Sequence, residues 1–194
     1  MGNLFITSWQ YQALRGAKFV NLDDVDNLDR CLRKAEDFLL KNRNAATGAF
    51  GVGNQPDLTG LGVLGLRTLG RNQRNIEAIN EGIEFMTGEY RKQPPDYDLN
   101  ASLEVWYYNQ HAFFQKGGNA WRFWNEQVRD SLLKHQLPDG SWKPEHGTNP
   151  PESMMCGQDD EIYRTTLCIL MLEVYYRYQR TGEKAEVSIF DFGK

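Results

Sequence analysis

Four groups of residues have types and spacings from which chemistry could be built. Asp159 and Asp160 stand side by side ahead of a strongly apolar segment. Neighbouring carboxyl groups cannot both ionise cheaply, so one of such a pair can hold a proton and act as an acid. Cys156, Asp159 and His146 have the side-chain types that bind zinc, the one cofactor worth weighing, but no metal-ligand spacing, and no metal site is expected. Trp106, Tyr107, Tyr108 and His111 in one segment, with Tyr163 in another, either fill a core or line a ligand cavity, where ring faces can stabilise positive charge. Gly60, Gly62 and Gly65 match the literal dinucleotide-binding string. That string works only between a strand and a helix, and its neighbours here read as helical, so the glycines are read as points of close helix packing.

The elements that must position these groups are helices. Prolines gather at Pro56, Pro94–Pro95, Pro138, Pro144 and Pro150–Pro151, and apolar residues recur at three and four between them. Seven helices are expected: 4–17, 25–42, 58–69 with Asp57 as N-cap, 75–87 stopped by Gly88, 100–115, 120–136 and 160–180. Asp23 and Asp24 suit the positive end of the second. No segment alternates as a strand does, so the fold class is all-α. The first, third, fifth and seventh helices are apolar on all sides; the second, fourth and sixth are amphipathic. That alternation describes helical hairpins in two layers.

A repeat runs through the amphipathic helices. Phe38-Leu39, Phe85-Met86 and Ser131-Leu132 follow one another at roughly 46 residues, the length of two helices and two turns. After the first pair come Arg43 and Gly48-Ala49-Phe50; after the third come Gln136 and Gly140-Ser141-Trp142. The second lacks a Gly-x-Trp, and in the others a tight turn would set a ring between hairpins.

Composition excludes several classes. Lys and Arg number 22 against 26 Asp and Glu, a net charge of −4, which argues against a nucleic-acid partner. No apolar run reaches membrane-span length, and no leader is read at the start, so the expected location is the cytoplasm by default. Cys31, Cys156 and Cys168 form no CxxC pair.

Gln136 with Gly140-Ser141-Trp142 resembles the QW motif of squalene and hopene cyclases, whose repeat superfamily includes protein prenyltransferase β subunits. Phe38, Arg43 and Phe50 form a degenerate copy, with Arg for Gln and Phe for Trp. The segments Trp106–Asn125, Gly140–Trp142, Tyr163–Thr166 and Leu172–Tyr178 resemble bacterial prenyltransferase and squalene-oxidase repeat proteins. The resemblance implies an α/α toroid of about six hairpins around a cavity, of which this chain supplies about three and a half. It further implies one domain over residues 1–194, incomplete by itself and completed by self-association or by a missing segment. The superfamily's acid motif, Asp-x-Asp-Asp, is not reproduced at Asp23–Asp26 or Asp159–Glu161, and its zinc spacing is absent. Cys156-Gly157-Gln158 is one residue short of the Cys-Gly-Glu-Gln thioester motif that the same toroid carries elsewhere.

The expected function is a binding module for an apolar ligand or peptide, leaning away from catalysis. The alternatives are an isoprenoid enzyme using Asp159 or Asp160 as acid, and a covalent-capture domain centred on Cys156.

Overall fold

A computed structural model describes residues 3–20, 26–51, 56–69, 73–143 and 161–177. Among these residues eight helices follow in order: α1 (Leu4–Phe19), α2 (Leu28–Lys41), α3 (Pro56–Leu69), α4 (Gln73–Lys92), α5 (Leu103–Lys116), α6 (Gly118–Lys134), α7 (Glu161–Leu172) and α8 (Val174–Arg177). The chain is all-α, with no strand among the described residues beyond two isolated bridges.

The helices form two rows. One runs α1–α3–α5–α7, each helix packed on the next; α2, α4 and α6 lie against it, α2 on α1 and α3, α4 on α3 and α5, α6 on α5 and α4. Sequence pattern explains the assignment. In α2 the buried positions are Leu32 and Leu39, a narrow stripe on an otherwise charged helix. In α5 twelve residues from Leu103 to Gln115 are buried, because rows press on it from several sides.

Burial all round fails at the ends of the inner row. Helix α1 buries Leu4, Ser8 and Tyr11 but leaves Ile6 51% and Trp9 58% exposed, and α7 leaves Ile162 78% and Ile169 41% exposed. Among the described residues each of these helices packs on one inner-row neighbour, α1 on α3 and α7 on α5.

Several boundaries differ from the sequence expectation. Helix α2 starts at Leu28, not Val25, because Asn27 takes a left-handed conformation (φ 62°) that no helix interior admits. Asp57 lies inside α3, and Pro56 occupies the first helical position, where its missing N–H costs nothing. Helix α4 runs through Gly88 to Lys92; the stop is Pro94, which disfavours helical geometry at Gln93. The last segment breaks at Glu173 into α7 and α8, and its expected tail beyond Arg177 lies outside the described residues.

The glycines of α3 are points of close approach. A methyl group on Gly62 would overlap the Phe50 ring, one on Gly60 would overlap the Asn109 amide of α5, and one on Gly65 would lie 2.7 Å from Leu39. The string therefore sits within a helix and serves helix contact.

Three rings plug the layer at equivalent places. Leu39, Met86 and Leu132 are fully buried. Phe50, Tyr97 and Trp142, ten or eleven residues after each, are also fully buried. In the first and third units the chain bridges back on itself, Arg43 to Phe50 and Gln136 to Trp142, with Gly48 (φ 81°) and Gly140 (φ 90°) making the turns. The Gln136 amide donates to the Gly140 carbonyl at 3.1 Å, whereas Arg43 reaches across to an ion pair with Glu81 of α4. Trp142 Nε1 donates to the Leu132 carbonyl at 2.8 Å, and half-buried Phe38 packs on the core beside Leu39. The middle unit extends α4 instead of turning, and its ring, Tyr97, donates its hydroxyl to the Lys143 carbonyl at 2.7 Å. Tyr97 also stacks on His135, 4.8 Å between centroids, and Asp98 faces both His135 (3.0 Å) and Lys143 (2.7 Å).

Candidate functional site

Helix α5 carries a stripe at i, i+3, i+4 and i+7: Glu104, Tyr107, Tyr108 and His111. Residues at this spacing share one face of a helix. The Tyr107 ring meets Tyr108 edge-on at 5.2 Å and His111 edge-on at 4.5 Å. Side chains from two other helices of that row, α7 and α1, meet the stripe. From α7, the Tyr163 hydroxyl donates to Glu104 Oε2 at 2.6 Å. From α1, the Trp9 indole N–H bonds the Tyr108 hydroxyl. A side chain of α1 thus reaches α5 across α3, and the stripe is bounded on two sides by aromatic residues of other helices.

Electrostatically the face is dry. Glu104 is only 9% exposed. Burial raises its carboxyl pKa, and the Tyr163 hydrogen bond acts in the opposite sense. No lysine or arginine among the described residues pairs with it. Burial lowers the His111 pKa to about 4, so its ring is neutral at pH 7. Burial, reinforced by the Glu104 charge, raises the Tyr108 phenol. Such a surface can hold apolar and aromatic matter, and it keeps one carboxyl group in surroundings that resist ionisation.

Of the five expected cavity residues, Tyr107, Tyr108, His111 and Tyr163 fall in this cluster. Trp106 does not: it lies about 200° round the helix from Glu104, given 100° per residue, and is buried in the main core at 2% exposure. Its face carries Gln110, which accepts from Trp124 Nε1 at 2.6 Å and donates to the Met171 carbonyl at 3.0 Å.

Asp159 and Asp160, read as acids, and Cys156, Asp159 and His146, weighed as zinc ligands, lie outside the described residues. Among the described residues no group of three or more His, Cys, Asp or Glu could hold a metal ion, and no helix is long and apolar enough to cross a membrane. Glu104 and Trp9 were not singled out by sequence. The signal for Glu104 was present: it is the lone charge in the aromatic run from Leu103 to Gln115. Nothing in the sequence distinguishes Trp9, whose role depends on α1 approaching α5.

Comparison with protein-family models, with curated proteins and with solved structures finds no match to this chain.

Proposed function

We propose that this chain is a ligand- or peptide-binding module built on a squalene cyclase- and prenyltransferase-like α/α toroid, of which it forms about three and a half hairpins. The observation that carries the reading is the α5 stripe bounded by Trp9 and Tyr163: rings from three inner helices converge on one dry face. The layered helix order and the equivalent turns at Arg43–Phe50 and Gln136–Trp142 support the toroid part. Farnesol, a neutral apolar alcohol, is expected to bind saturably, shifting the Trp9 indole N–H resonance, and Tyr107→Ala is expected to weaken it severalfold. Absence of saturation would overturn the reading. Conversion of farnesol to a new product would replace it with an isoprenoid enzyme.

The proposed partner is a second copy of the chain. Ile6 and Trp9 on α1 and Ile162 and Ile169 on α7 support this, since they are exposed apolar residues at the two ends of the inner row. Light scattering should then give the mass of a dimer, and Ile162→Lys should return it to a monomer. A wild-type monomer at all concentrations would sink self-association.

A further inference from the structure

Glu104 is in an unusual position for a carboxylate. It is 9% exposed, and among the described residues its one hydrogen-bond partner is a tyrosine hydroxyl. Buried carboxylates are ordinarily paired with a cation or held by several donors, because an uncompensated charge loses its hydration and gains little in return. Helix capping does not account for it. Glu104 lies in the first turn of α5 but, among the described residues, takes no backbone N–H; its bond goes sideways to α7. Around it stand Tyr107, Tyr108, Tyr163 and, through Tyr108, Trp9. No protein cation enters this space among the described residues, and His111, two turns further along the same face, is neutral at pH 7.

A carboxylate set among aromatic rings combines two attractions for one kind of guest. The charge attracts a cation, and the negative ring faces attract the same cation when it is large, soft and poorly hydrated. A metal ion is a poor fit, since it requires several oxygen or nitrogen ligands and Glu104 supplies only carboxylate oxygens. We propose that the α5 face binds an organic cation of the alkylammonium class, with Glu104 as its counter-ion and Trp9, Tyr107 and Tyr163 as its walls. This rests on the reading of that face as a ligand-binding surface and names the charge of the ligand. The cation pairs with the Glu104 carboxylate while the Tyr163 hydroxyl continues to donate to it.

The test compares choline with 3,3-dimethyl-1-butanol, which has the same shape and no charge. Both are titrated into the full chain at pH 7 by calorimetry, with the Trp9 indole N–H followed by NMR. Choline should bind at least about tenfold more tightly than the neutral alcohol, the ratio expected when a desolvated charge pair and ring faces act together. Glu104→Gln should bring choline affinity down to that of the alcohol, and an unchanged far-UV circular dichroism spectrum shows that the variant is folded. Trp9→Leu, at a site exposed enough to tolerate the change, should lower choline affinity about threefold and affect the alcohol less. Equal binding of the two compounds, or an undiminished preference in Glu104→Gln, would overturn the cation and leave the apolar surface standing. Binding of neither would overturn both.

Discussion

Both faces of α5 carry rings, yet they treat polar groups in opposite ways. On the side of Trp106, Gln110 and Phe113, donors meet acceptors and rings meet rings. Gln110 uses its oxygen on Trp124 Nε1 and its nitrogen on the Met171 carbonyl, while Phe113 stacks on Trp124 at 5.0 Å with planes 12° apart. A neutral amide that finds both an acceptor and a donor can be buried without electrostatic strain, and it fixes the three helices α5, α6 and α7 in register. On the side of Glu104 and His111, the polar groups are ionisable, and burial opposes the charge of each. The first arrangement suits a core. The second is what a protein keeps where something other than its own packing is to be satisfied.

The contrast predicts where stability resides. Trp124 is fully buried, stacks on Phe113, meets Tyr90 at 4.7 Å and donates to Gln110. Trp124→Ala removes the ring and strands the Gln110 carbonyl, and should cost about 3–5 kcal/mol in chemical denaturation. Tyr107→Ala, on the half-buried opposite face, should cost clearly less. If the two losses were equal, the inner face would be core like the other, and its reading as a binding surface would lose its basis.

How much of this was legible in the sequence follows from what kind of signal each feature leaves. The rows of helices were legible, because burial on one face or all faces imposes a pattern on every turn of a helix. The turns at Phe50 and Trp142 were legible through glycine and ring spacing. Tyr97 was not, although it stands at the same distance from Met86 as Phe50 does from Leu39. No glycine stands two residues before it, as Gly48 and Gly140 do before Phe50 and Trp142, since α4 extends five residues beyond Thr87, through Gly88. The direction of α5 was the main loss. Its rings occupy both faces, so periodicity alone cannot separate Trp106 from Tyr107. The separation depends on which helix stands where, and only contacts such as Glu104–Tyr163 and Gln110–Met171 report it. The exposed ends of the inner row were missed for a related reason: an apolar helix does not state how many neighbours it has.

The smaller effect is a dependence on pH, and its sign separates the two ionisable groups of the inner face. His111 has a folded pKa of about 4, below its ordinary 6.5. Between those values the unfolded chain binds a proton that the folded chain refuses, so acid favours unfolding. The stability at stake is complete above pH 6.5 and is lost as pH falls towards 4, in all about 3 kcal/mol. Glu104 acts in the other direction. Its folded pKa is raised above 4.5, so its contribution is present below that value and disappears as pH rises through the folded pKa. Exposed Asp29, held below the usual range by its hydrogen bond to Lys18, and Asp98, held there by Lys143 and His135, also lose on acidification. Those losses are common to wild type and variants and cancel in the difference. Denaturation of His111→Gln from pH 7 to pH 4 should therefore show a shallower acid loss than wild type, and Glu104→Gln a steeper one. A His111→Gln profile parallel to wild type would mean that the imidazole charges freely in the folded protein, and that the face around Tyr107 is wet rather than dry.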